Sequence, residues 1–90
     1  MIRDYIAVDV ETTGLNPARD RLLEIGAARI LNGKVEETYQ TFIDAGVEVP
    51  ERITELTGIT DEMRLSGKRP EQAIPEFLEF CGELPILGHN

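Results

Sequence analysis

Apolar and polar side chains alternate from Tyr5 to Val10, with Ile6, Val8 and Val10 on one side and Tyr5, Ala7, Asp9 and then Glu11 on the other. A period of two is that of a half-buried strand, and this strand ends in carboxylates. Thr12, Thr13, Gly14 and the Asn16-Pro17 pair are turn residues, so the chain leaves the sheet there and loops through Asp20. Leu22 to Leu31 and Val35 to Ile43 read as two further strands. The Asn32-Gly33 pair between them is the strongest short hairpin signal a sequence can carry. Three strands with tight links predict an antiparallel meander.

Beyond Ile43 the alternation breaks at Asp44, Gly46 and Pro50. Two brief helical turns are expected, around Ile53 to Thr57 and Thr60 to Leu65, the second N-capped by Thr60 with Asp61 and Glu62 in its first turn. Ser66 to Pro70 reads as a solvated turn whose Lys68 and Arg69 are surface charges rather than a phosphate clamp. From Pro70 to Gly82 the period becomes helical, with Ile74, Phe77, Leu78 and Cys81 at i, i+3, i+4 and i+7 opposite Glu76 and Glu79. Pro70 suits the first turn and Gly82 the stop, while Pro75 marks a kink or a later start. Leu84 to Gly88 is a short buried strand. A helix between a meander and a returning strand predicts a right-handed crossover, with the last strand parallel to the first. The fold class is therefore α/β, a mixed sheet with a helix on one face. Asp9, Glu11 and the Gly88-His89-Asn90 end then share one side of the sheet, where ligands gather in open α/β sheets.

Ninety residues suit one small domain that buries only about 60–65% of its unfolded surface. With 41% apolar and 29% charged residues the composition is that of an ordinary soluble protein. No apolar run approaches the roughly 20 residues that cross a bilayer, and Met1 to Tyr5 has no secretory character. A cytoplasmic address with no membrane partner is the expectation. Cys81, the only cysteine, excludes a disulfide framework and a thiolate zinc site, and in the helical stripe it reads as a small core side chain. The net charge of −8 opposes loose binding to phosphate backbones, so a phosphate substrate would need bound cations.

Asp9 and Glu11 stand about 6.6 Å apart on one face of a strand. At an effective dielectric near 20 their charges repel by about 2.5 kcal/mol. A shared divalent cation reverses that sign, and a stiff strand holds hard oxygen donors with little ordering entropy left to lose. Oxygen donors suit Mg2+ or Mn2+ rather than zinc.

The segment AVDVETTGL, Ala7 to Leu15, resembles the first motif of the DnaQ-type branch of the DEDD 3′→5′ exonucleases, the superfamily that includes the proofreading epsilon subunit of bacterial DNA polymerase III. LLEIGAARI (Leu22 to Ile30) is similar to the family's second strand, ELTGIT (Glu55 to Thr60) to the loop after its third, and ILGHN (Ile86 to Asn90) to the opening of its second motif. The matches fall in family order along essentially the whole chain. The resemblance implies a ribonuclease H-like sheet and two divalent metals held by four acids, which activate a water against a terminal phosphodiester. By the same resemblance Asp9 coordinates both metals, and Glu11 holds one and helps position the water or the terminal nucleotide. Thr12 and Thr13 offer backbone and hydroxyl contacts to the last nucleotide, Leu15 is an apolar wall or simply core, and Thr57 matches a position touching the 3′ end. His89 takes a structural or substrate-contact role rather than that of general base, and Asn90 contacts substrate.

The family's third and fourth acids and its general base would lie past Asn90. Residues 1–90 are thus expected to be the N-terminal part of a single, truncated exonuclease domain, with little turnover and with self-association or weak stability arising from apolar surface exposed beside the last strand. The expected substrate is a single-stranded DNA 3′ end, with a DNA polymerase as partner. Alternatives are an RNA 3′ exonuclease of the same family and a non-catalytic metal-binding or docking module.

Overall fold

β1 (Tyr5–Thr12), β2 (Leu22–Leu31), β3 (Lys34–Phe42) and β4 (Ile86–His89) form one sheet in the order β3-β2-β1-β4. This is a computed structural model, which describes residues 2–16 and 18–89. β1 pairs antiparallel with β2 and parallel with β4, and β2 pairs antiparallel with β3. The meander and the parallel return of the last strand agree with the sequence pattern, and the strand that carries the acids is an inner one. The last strand, however, spans Ile86–His89 rather than Leu84 to Gly88 and is not buried, because as an edge strand it leaves Ile86 and Leu87 46% and 45% exposed. Asn32 and Gly33 both have positive φ, 54° and 76°, as a two-residue type I′ turn requires.

Three helices follow the meander: α1 (Glu51–Thr57), α2 (Asp61–Leu65) and α3 (Pro70–Cys81). Thr60 caps α2 as expected, its hydroxyl accepting from the Met63 N–H at 3.2 Å. Gly58, at φ 81°, closes α1 with its N–H on the Thr54 carbonyl. α3 starts at Pro70 and continues through Pro75, so the later start does not occur. No helix among the described residues is long and apolar enough to cross a membrane.

Ile6, Ala27, Phe80 and Cys81 form one buried cluster, joined by Val8, Tyr39, Phe77 and Leu84, while Ile25, Ile43 and Ala73 form its neighbour. α3 therefore covers the face of Ile6, Val8, Ile25 and Ala27. Its packing stripe is Ala73, Phe77, Phe80 and Cys81, whereas Ile74 and Leu78, expected in the core, are 41% and 55% exposed. Leu23, Val49, Ile53 and Ile59 form the third cluster, which seats α1 and α2.

The Ser66–Pro70 turn is stitched to the sheet rather than simply solvated. Lys68 donates its N–H to the Phe42 carbonyl, and the Asp44 N–H donates to the carbonyl of Lys68. Gly67 lies so close to the Phe42 carbonyl that a Cβ would clash with it. Asp44, Asp61 and Arg64 lock the helices to this corner. The guanidinium of Arg64, 7% exposed, lies 2.7 Å from Asp44 and 3.1 Å from Asp61. The Gly46 N–H first and the Arg64 guanidinium next hold the Asp44 carboxyl below its ordinary range, and Val49 N–H and Arg64 do the same for Asp61. Burial disfavours the Arg64 charge, but the two carboxylates outweigh it and raise its pKa.

Candidate active site

Pleating turns Asp9 and Glu11 away from the face that α3 covers, and Asp9 stands opposite Gly26 of β2 on one side and His89 of β4 on the other. A register shift between Glu11 and Thr12 interrupts the ladder just after the acids, before Thr12 pairs with Leu22. The two carboxylates, with Thr12, Leu15 and Thr57, line one open cleft of about 1080 Å³ at the C-terminal end of β1. Of the six expected site residues whose side chains are described, five thus share one space.

The loop after β1 is built around Asp20. Its carboxylate accepts from the Thr13 hydroxyl at 3.0 Å and from the Asn16 N–H at 2.8 Å, and the Thr13 hydroxyl accepts in turn from the Arg21 N–H at 3.0 Å. The Asn16 N–H, more than the Thr13 hydroxyl, lowers the Asp20 pKa against the opposing effect of burial. Thr13 is only 6% exposed, its N–H donates to the Arg21 carbonyl, and it does not line the cleft. It shapes the loop from within. Thr12 donates its hydroxyl proton to the Gly14 carbonyl. The Thr57 hydroxyl donates to the Ile53 carbonyl at 2.8 Å and accepts from the Ile59 N–H at 3.1 Å. The protons of all three threonine hydroxyls are committed to the protein, leaving only acceptor capacity toward a ligand.

His89 belongs to β4, whose backbone runs beside Asp9, while Asn90 lies outside the described residues. Composition and pattern did not single out Arg21, Arg52, Asp20 or Leu56, all of which line the cleft. A usable signal was present for two of them: Arg52 and Leu56 are four apart on α1 and so share a face, and Leu56 is 81% exposed.

Asp9 and Glu11 present hard oxygen donors that fit Mg2+ or Mn2+. Among the described residues no three His, Cys, Asp or Glu side chains converge to hold an ion, so this pair is a partial ligand set.

A family model described as exonuclease matches residues 6–90. The PolC-type DNA polymerase III of Thermotoga petrophila is 41% identical over 86 residues, which is 96% of this chain and 6% of that protein. DNA polymerase III subunit epsilon of Aquifex aeolicus is 35% identical over 85 residues, 94% of this chain and 42% of that protein. The chain thus spans less than half the length of each of these relatives. Among solved structures, exonuclease I from Methylocaldum szegediense superposes with a TM-score of 0.82 at 22% identity, over 99% of this chain and 21% of that one. The nuclease domain of 3′hExo, a DEDDh family member bound to rAMP, gives 0.77 at 16% identity, over 96% and 50%. At those identities the likeness is one of fold, and the ribonuclease H-like sheet agrees with the strand order found here. Motif, topology and sequence relatives converge: the chain belongs to the RNase T-type exonuclease family, on its DnaQ-like DEDD branch.

Proposed function

We propose that this chain carries the strand-borne part of a two-metal 3′→5′ exonuclease centre that removes nucleotides from single-stranded DNA 3′ ends. The observation that carries this reading is the placement of Asp9 and Glu11 at the C-terminal end of an inner strand, opening into the cleft with Thr12, Leu15 and Thr57. Asp9 and Glu11 would hold Mg2+ or Mn2+, with water completing the coordination. When bound, such ions supply charge neutralisation at the phosphodiester and an acidified water.

The chain's own residues do the positioning. β1 pairs with β2 along its length and with β4 as far as Asp9, so Asp9 is flanked by a strand on each side and Glu11 by β2, a stiff support for two metal ligands. Leu15 from the β1–β2 loop and Leu56 from α1, 100% and 81% exposed, offer apolar surface to the sugar and base of a terminal nucleotide. By the family resemblance His89, whose backbone pairs with that of Asp9, and Asn90 would contact substrate. Residues 1–90 then act as the N-terminal part of the domain, and alone they bind metal, turn over little and self-associate. A cytoplasmic DNA polymerase is the natural partner, as the sequence relatives are polymerase III components.

Titration of Mn2+ into the ninety-residue chain beside Asp9→Ala tests the reading. Loss of uptake in the variant is expected, and equal uptake would overturn it. RNA is the second substrate reading, favoured by the fold neighbour bound to rAMP. Hydrolysis of matched DNA and RNA strands by a longer parent chain separates the two.

A further inference from the structure

The cleft carries three carboxylates, Asp9, Glu11 and Asp20, and three guanidinium groups, Arg19, Arg21 and Arg52. It is formally neutral in a chain of net charge −8. The other arginines are mostly spent on acids: Arg29 pairs with Glu36, Arg64 with Asp44 and Asp61, and Arg69 with Asp44 and Glu71. Among the described residues, Arg21 and Arg52 have no carboxylate within 4.0 Å, and Arg19 reaches Asp20 only at that limit. Arg21 uses one terminal nitrogen on the Arg19 and Asp20 carbonyls, at 2.8 and 3.3 Å. Its other N–H groups are free of intramolecular bonds among the described residues. Arg52 makes no side-chain hydrogen bond among them, stays exposed on α1, and its field reaches Asp20.

Two exposed guanidinium groups that face one cleft, with no carboxylate within 4.0 Å among the described residues, keep N–H donors available to a ligand, and arginine forks match phosphate geometry. At about 1080 Å³ the cleft also slightly exceeds the roughly 300–1,000 Å³ typical of small-ligand pockets, so there is room beyond one nucleotide. We infer that Arg21 and Arg52 form a phosphate-binding wall that takes the phosphodiesters inward of the terminal nucleotide, making a strand rather than a mononucleotide the preferred ligand of this cleft. The inference rests on the exonuclease reading for the location of the strand end. It adds residues of opposite charge that act differently, since the acids hold cations and the arginines select for a chain of phosphates.

The test is fluorescence anisotropy of a labelled thymidine octanucleotide with a 3′-terminal phosphorothioate, bound to the ninety-residue chain in Mn2+ across a salt series. Arg52→Ala and Arg21→Lys are compared with wild type and with Lys34→Ala, a cation at the hairpin end of the sheet remote from the cleft. Each phosphate contact on a single strand contributes about 0.7 to the slope of log affinity against log salt. Arg52→Ala should lower the slope by about that amount, which is about 2.6-fold in the affinity lost over a fourfold salt increase. Arg21→Lys should keep the slope but weaken binding, because a point charge replaces a fork. Thymidine 5′-monophosphate affinity should be unaffected by Arg52→Ala. An unchanged slope in Arg52→Ala, an equal drop in Lys34→Ala, an equal loss of mononucleotide affinity, or no oligonucleotide binding by a chain that takes up Mn2+ would each overturn the inference. Mn2+ uptake is measured separately for every variant. A chain whose uptake ignores Asp9 sinks the metal-centre reading, while the arginine slopes are judged on their own.

Discussion

A methyl group at position 14 would land 2.6 Å from a carboxylate oxygen of Asp20. The glycine of the Thr12-Thr13-Gly14 run is therefore required by a neighbour six residues on, not by its own backbone angles, because the Asp20 carboxylate occupies the space a side chain would fill. That carboxylate is short and held by two hydrogen bonds, so it cannot swing aside without releasing Thr13 and Asn16. Gly14→Ala should cost about 1–3 kcal/mol in urea unfolding. It should also weaken Mn2+ uptake, because the loop that leaves β1 directly after Glu11 would shift. A variant with wild-type stability would show that Asp20 relaxes freely. The acids were legible in the sequence because an alternating strand makes a same-face pair unmistakable. Asp20 was not, since its role depends on the loop folding back, which no local period encodes.

α3 shows where an element-level reading succeeds and where it stops. Its bounds, Pro70 to Cys81, follow from the proline at its start and Gly82 after its end. Its buried face did not follow, because Ala73, Ile74, Phe77, Leu78, Phe80 and Cys81 form an apolar arc wide enough for two overlapping stripes. Packing decided between them. Phe80 reaches Tyr39 of β3 at 5.7 Å between ring centroids and takes the Arg29 guanidinium over its face at 4.5 Å, while Ala73 is fully buried beside Ile25 and Ile43. A small residue lets the helix approach the sheet there, which turns Ile74 and Leu78 outward. Phe80→Ala should lose about 3–5 kcal/mol, whereas Leu78→Ser should change stability by no more than about 0.5 kcal/mol. Equal losses in chemical denaturation would mean that the apolar arc, not this stripe, is what the sheet holds. The α1–α2 platform was likewise visible only as two short helices. The buried Arg64 that ties it to Asp44 and Asp61, and so places Arg52, Leu56 and Thr57 along the cleft, joins residues up to 20 positions apart.

At the scale of the molecule the acids set the response to pH. Asp20, Asp44, Asp61 and Glu76 all have lowered pKa values, from the Asn16, Gly46 and Val49 N–H groups for the aspartates and from Lys68 for Glu76. A lowered folded-state value means that the stabilisation is complete above the unfolded values, about 3.9 for Asp and 4.3 for Glu, and is lost as pH falls through the folded ones. Thermal midpoints should therefore be flat from about pH 5 to 7 and fall steeply below about pH 4. The surface tells a second story. Its area of 6098 Å² is about 15% above the roughly 5300 Å² expected for a compact 10.1 kDa monomer. The radius of gyration, 13.8 Å, exceeds the roughly 12 Å expected for ninety residues. The two sheet edges differ in kind. β3 presents Lys34, Glu36, Glu37 and Gln40, the charged border that discourages strand addition. β4 is a four-residue edge whose Ile86 and Leu87 are 46% and 45% exposed, and α3 adds Ile74 and Leu78 to the exposed apolar surface. An edge without charge is an invitation to pair, so the chain alone should self-associate, its weight-average mass in sedimentation rising with concentration. Leu87→Lys should return it to a monomer without disturbing the core, because that side chain is half exposed. A wild-type chain that stays monomeric at every concentration would show that this edge is sufficiently protected by its short length.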